Sequence, residues 1–527
     1  MSIAKDDLLA IPQITVYFIS LFLGTVIAHH IVWGRRRGRL PPGPRGLPFV
    51  GNILDVPKSH QWKTFYEWSR KWGDIVSVTV LGHTLIILSS PSSINALLEK
   101  NSAISSDRPK MIVARKWIGW DHIVAMEDYG SRLRALRQMV AQYIGPRVDT
   151  STLAPLLEQE SLKFVMRVWH RPDQLAGEVR RSVGSTISMV AYGYRVESDT
   201  DPILEMVDEA LQTISVVATP GATLVEFFPT LERIPAWLPG GKWKYIAESS
   251  RKLLESLIND PFEYTKKQMA RIFNSKASEG SSIPSFTSVS LKNNESSENE
   301  LLVKDAAASL QLGVIIKSVA TLRSFFLAMM CYPEVQRRAQ QEIHSVVGFD
   351  RLPCLADRKH LPYINAVYLE ALRWNPVTPI GLPHRLSQDA ILDNYLLPKG
   401  STVIANIWFI LHDPDVYNEP FVFKPERYLS SDSTERELDP RAYAFGFGRR
   451  VCPGSHYAEA LLFLMISSSL AIFNITKPVE DGVVIEPNTE FTGGSISLPP
   501  AYNCSIKPRS GGAEALLTSL IGESERI

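Results

Sequence analysis

The apolar pattern changes period several times along this chain, and each change predicts an element. From Leu8 to Trp33 there is no Asp, Glu, Lys or Arg, which is long enough for one helix spanning a bilayer. Ile75 to Val80 alternates with period two, Gly82-His83 turns, and Leu85 to Leu88 returns, the pattern of a hairpin. From 91 to 272 the period is mainly helical, broken at Pro146, at Pro220-Gly221 and at Pro239-Gly240-Gly241. Leu301 to Cys331 holds no Pro and only Gly313, so it reads as one long helix stopped by Pro333. Its middle, Leu310 to Ala320, is apolar on nearly every face, as suits a helix at the centre of a large core. Helical signals continue to 375, and Thr402 to Ala405 and Val483 to Ile485 read as strands. The fold class is mainly α with a small β-rich subdomain.

Three segments fall outside these periods. Pro41-Pro42-Gly43-Pro44 and Pro48 form an extended, semi-rigid spacer. Ser275 to Glu300 is rich in Ser, Asn and Glu and reads as a mobile surface connection. The tail from Arg509 contains Gly and Ser and reads as peripheral.

Composition narrows the class. The chain has 527 residues, 45% of them hydrophobic, with 56 basic against 55 acidic side chains. A chain this long and apolar builds a full core, and with no positive excess it carries no nucleic-acid footprint. Cys331, Cys354, Cys452 and Cys504 are far apart with no C-x-x-C pair, which excludes a disulfide scaffold and a zinc ribbon. The apolar run at 8–33 is followed, not preceded, by Arg35, Arg36, Arg37 and Arg39. That order predicts a retained single-pass anchor with residues 40–527 on the cytosolic side.

One cysteine stands apart. Around it the chain reads Phe445-Gly446-Phe447-Gly448-Arg449-Arg450-Val451-Cys452-Pro453-Gly454, and a helical pattern follows. Glycines let the backbone pass close to a flat ligand. A thiol at a helix N-terminus beside arginines has its thiolate favoured, as a metal ligand needs. Glu370-Ala371-Leu372-Arg373 places two opposite charges on one helical face, and Phe423-Lys424-Pro425-Glu426-Arg427 lies downstream.

With these motifs in this order, the sequence resembles the cytochrome P-450 family from residue 8 to 508. The style, including Pro383-His384-Arg385 and Leu411-His412-Asp413-Pro414, is similar to microsomal enzymes of fungal secondary metabolism. The resemblance implies haem b, iron protoporphyrin IX, in a cytochrome P-450 fold preceded by one transmembrane helix. Cys452 would be the axial thiolate, which favours O–O cleavage. Phe445, Gly448 and Gly454 would line its loop, and Arg450, Arg137 and either His384 or Arg385 would meet the haem propionates. The tryptophan that precedes this arginine in the family is Leu133 here. Glu370, Arg373 and Arg427 would form a structural network.

The implied layout is a lumenal 1–7, an anchor at 8–33, a basic and proline-rich linker at 34–52, a haem-thiolate domain at 53–508 and a tail at 509–527. Partners would be NADPH–cytochrome P-450 reductase and cytochrome b5, at the endoplasmic reticulum membrane. The activity implied is oxidation of a hydrophobic terpenoid or polyketide by dioxygen with NADPH-derived electrons. Trp120, Val314, Ile315, Ile380 and Ile496 are candidate pocket residues.

The long helix departs from the family. Counting back from Tyr332-Pro333-Glu334, the acid–alcohol pair that manages protons in the family is Ile316-Lys317, followed by Ser318. Proton delivery by Lys317 or Ser318 is one reading. A redox-neutral isomerisation, dehydration or rearrangement is a second, and haem or ligand binding without turnover is a third.

Overall fold

The computed structural model describes residues 40–148, 152–198, 200–217, 223–274, 284–292, 296–430 and 436–524, and Gly24 besides. The predicted membrane helix therefore lies outside the described residues, Gly24 apart.

The hairpin forms where the alternation predicts it. β1 (Ile75–Val80) and β2 (His83–Leu88) are antiparallel, with Ile75 opposite Leu88 and Val80 opposite His83. Leu81 and Gly82 take positive φ in the turn. β3 (His384–Arg385) and β6 (Thr402–Ala405) complete a four-stranded sheet, order β1-β2-β6-β3, with β2 and β6 parallel. Between them β4 (Ala390–Leu392) and β5 (Tyr395–Leu397) make a small hairpin. The proline segment is no free spacer: Pro42 accepts from the Ser77 amide at 2.9 Å, and Ser77 Oγ donates to Pro41. It is docked on β1.

Helices make up the rest. The longer ones are α1 (Gln61–Trp72), α2 (Ser131–Ile144), α3 (Ala154–His170), α4 (Leu175–Tyr192), α5 (Pro202–Val217), α6 (Trp243–Asn274), α7 (Phe286–Lys292) and α8 (Ser297–Cys331). After these come α9 (Pro333–Val347), α10 (Pro362–Trp374), α11 (Ser455–Ile472) and α12 (Gly511–Ser524). Helix α8 starts four residues before its predicted bound, because Ser296 Oγ caps it by accepting from Asn299 N and Glu298 and Glu300 occupy its first turn. It ends as expected before Pro333. Helices α4, α2, α11, α10 and α6 pack around it. Among the described residues α8 and α11 are long and apolar enough to cross a membrane, but both are largely enclosed by protein. Their greasiness is that of a core.

Two expectations change. The stretch read as a mobile connection contains α7, whose Phe286 and Thr287 are fully buried, with Thr287 Oγ1 donating to Ala191 O at 2.8 Å. The tail is not peripheral: Ala513 and Leu517 of α12 are buried against the main core and α11. In both, a few apolar residues among Gly and Ser suffice once a groove exists to receive them.

Candidate functional site

Helices α8 and α11 face each other across a narrow cavity. Its wall is Lys317, Ser318 and Thr321 of α8, Leu372 of α10, Ala458 and Leu462 of α11, and Val377, Ala444 and Phe445 from connecting segments. Beyond the three polar residues of α8, the lining is hydrocarbon.

The loop before α11 is folded tightly against itself. The Cys452 amide donates to Phe445 O at 2.8 Å, and Arg450 N to Phe447 O at 2.9 Å. Gly448 has φ of 52°, and a Cβ there would lie 2.3 Å from the Leu98 carbonyl oxygen. Gly454 is a milder case, its Cβ falling 3.2 Å from Ile144 Cδ1. Only glycine fits at 448. Cys452 is free and partly buried against the main core, just ahead of the α11 N-terminus.

At one edge three arginines converge without matching acids. Arg450 donates to the carbonyls of Ser106, Val124 and Glu127, the first at 2.6 Å. Arg108 donates to Ala125 O, Leu382 O and Pro383 O at 2.7–2.9 Å, and Arg137 to Val451 O at 2.7 Å. Burial, reinforced by repulsion from Arg450, Arg137 and Arg115, holds the Arg108 pKa well below its usual value. Burial, then Arg137, brings Arg450 to about 10. The nearby Asp107 and Asp128 are engaged by Arg385 and Arg115. Buried positive charge held by neutral carbonyls is a cradle for an anion.

An apolar wall, a group of arginines and the free thiol of Cys452 are the donor set that a flat macrocycle with two carboxylates and a thiolate-bound iron would use. The family model for cytochrome P-450 matches residues 41–504. This chain belongs to the cytochrome P-450 family.

The P-450 network below the haem slot is present. Arg373 donates Nε and Nη2 to the two oxygens of Glu370, both at 2.8 Å, and both side chains are fully buried. Arg427 joins at 3.2 Å and also pairs with Glu437. Lys424 N and Tyr428 OH donate to the same carboxylate. Cys452, Phe445, Arg450 and Arg137 lie close together, with Cys452 N donating to Phe445 O and Arg137 to Val451 O. Arg385 does not serve the cradle: it donates to Arg108 O and is paired with Asp107 and Asp128. His384 uses Nδ1–H on Ser105 O at 2.6 Å, and burial, with Arg108 second, lowers its pKa to about 3. Its Nδ1–H is engaged by that carbonyl, and Arg108 stands beside it as a further cation of the group. Sequence reasoning passed over it because its signal, Asp107-Arg108-Pro109, lies more than three hundred residues before Cys452.

Of the pocket candidates, Trp120, Val314 and Ile315 share the main core. Ile380 sits instead with Trp62, Phe65 and Ile404 under the sheet, and Ile496 is half-buried. Lys317 and Ser318 both face the slot.

Related proteins agree along the whole chain. It is 47% identical over 484 residues to cytochrome P-450 monooxygenase 208 of Postia placenta, covering 92% of this chain and 93% of that one. It is 40% identical over 523 residues to cytochrome P-450 monooxygenase claR of Ampulloclitocybe clavipes, covering 99% and 95%. Among solved structures, a zebra fish cytochrome P-450 with abiraterone superposes with a TM-score of 0.67 at 22% identity, over 85% of this chain and 100% of that one. The last likeness speaks to the fold alone. The protein is a cytochrome P-450 monooxygenase, an oxidoreductase. When bound, the haem supplies dioxygen activation and oxygen transfer. Cys452 would supply its thiolate ligand, and Arg108, Arg137 and Arg450 would hold its propionates.

Proposed function

We propose that this protein is a membrane-anchored haem-thiolate monooxygenase of secondary metabolism that oxidises a hydrophobic small molecule of terpenoid or polyketide type. Its electrons come from NADPH through a reductase, with cytochrome b5 as a second donor. It is held at the endoplasmic reticulum by residues 8–33, with the catalytic domain in the cytosol. The observation that carries the reading is Cys452 in its glycine–arginine loop, whose Phe445 shares the slot with α8 and whose neighbours are Arg108, Arg137 and Arg450. The apolar slot supports a hydrophobic substrate. The redox-neutral alternative rests on Ile316-Lys317 alone, and relatives named as monooxygenases over nine-tenths of the chain weigh against it.

The carbon-monoxide difference spectrum of the reduced full chain tests this reading. The wild type should show the red-shifted thiolate band, Cys452→Ala should lose it, and the same change at Cys331, Cys354 or Cys504 should keep it. Product formation should require both NADPH and dioxygen; turnover without either would restore the redox-neutral reading.

A further inference from the structure

Lys317 is a basic side chain left without a partner among the described residues. It stands on α8 and lines the slot, yet its amine makes no hydrogen bond or ion pair among the described residues. No acid lines the slot with it. The nearest acid on the same helix, Asp305, is twelve residues back, about 18 Å along the axis, and is held by Arg132 and His122. Lys317 is half-buried, and an amine at the edge of an otherwise hydrocarbon wall is offered to an anion.

The neighbouring residue is also unanswered. Ser318 Oγ is fully buried, lines the same slot and has no hydrogen-bond partner. Thr321, one turn on, is already engaged, donating to Lys317 O at 2.9 Å. A free ammonium and a free hydroxyl side by side on an apolar wall supply what a carboxylate needs: a counter-ion and a second donor. The haem propionates are the other anions due in this region, and they have Arg108, Arg137 and Arg450.

We propose that the substrate is a hydrophobic carboxylic acid whose carboxylate pairs with Lys317 and accepts a hydrogen bond from Ser318. The inference rests on the monooxygenase reading and names its substrate class. It also answers the loss of the acid at Ile316, because a carboxylate arrives with the substrate where the helix provides none. Lys317 is then a specificity-determining residue.

The test compares acids with their methyl esters on the full-chain holoenzyme, read as the substrate-induced shift of the haem absorption band. The probes are dodecanoic acid and abietic acid, each beside its methyl ester. In the wild type at least one acid should bind about 10- to 100-fold more tightly than its ester, the range for one hydrogen-bonded charge pair. Lys317→Met should weaken the acid and leave the ester unchanged, Lys317→Arg should keep part of the preference, and Ser318→Ala should reduce it. The carbon-monoxide band of each variant shows that its haem site is intact. Equal affinities within both wild-type pairs, or equal weakening of acid and ester by Lys317→Met, would overturn the proposal while a normal thiolate band leaves the monooxygenase reading standing. A wild type without that band would overturn both.

Discussion

His412 lies where the buried ion pair of α10 meets the segment before Pro414. It is 3% exposed, its Nδ1 is 2.9 Å from Trp408 O, and its ring stacks on the Trp408 indole at 4.5 Å. Burial first, then the Arg373 guanidinium, lowers its pKa to about 3. In the unfolded chain the same imidazole takes a proton near its ordinary value of about 6.5. Its contribution to stability is therefore complete above that value and is lost as pH falls toward the folded pKa, at up to about 1.4 kcal/mol per pH unit. His412→Gln should flatten the acid limb of a plot of Tm against pH between 6.5 and 4, whatever it does at pH 8. An equally steep limb in that variant would mean His412 is already charged in the fold. The motif around His412 was legible in the sequence; its neutrality was not, because burial is a tertiary property.

At the scale of elements, the segment 112–118 is tied down from a distance. Ile112–Ile118 is a wide helical turn, and the amides of Ile112 and Val113 donate to the carboxylate of Glu226 at 2.6 and 3.0 Å. Lys116 pairs with Glu232 at 2.6 Å, and the Trp117 ring meets Trp243 edge-on at 5.1 Å. A carboxylate on the first amides of a helix satisfies donors that the helix leaves unpaired. Removing it by Glu226→Ala should cost about 0.5–2 kcal/mol, as other caps do. Hydrogen exchange should rise across 105–124 while α8 stays protected. Unchanged exchange there would show that the ion pair and the tryptophans hold the segment alone. Periodicity found α8 and the hairpin, since each buries a face that repeats along the chain. It did not find this latch, which joins residues 112 and 226 across an irregular surface.

For the whole molecule, the anchor is the open quantity. Full-length protein should sediment with microsomes, and deletion of residues 1–39 should release most of it with an unchanged thiolate band. Exposed Leu224, Phe228 and Trp237 should keep a fraction bound. Asn474 and Asn503 are exposed and stand in glycosylation sequons, so their remaining unmodified, together with Asn294, is the mark of a cytosolic domain. Glycans on any of the three would reverse the topology.

What the sequence determined by itself was chemistry held in contiguous residues: the Cys452 loop, the Glu370–Arg373 pair one helical turn apart, the long central helix, the first hairpin, and the replacement of an acid–alcohol pair by Ile316-Lys317. Each depends on spacing along the chain, which backbone geometry converts directly into position. Tertiary structure decided what depends on distant segments meeting. It put Arg108 beside Arg450, tied His384 to the Ser105 carbonyl, committed Arg385 to two aspartates, docked α12 on the core and left Lys317 and Ser318 without partners among the described residues. Whether a charge is answered is a question about everything that packs around it, and only the folded chain brings those neighbours together.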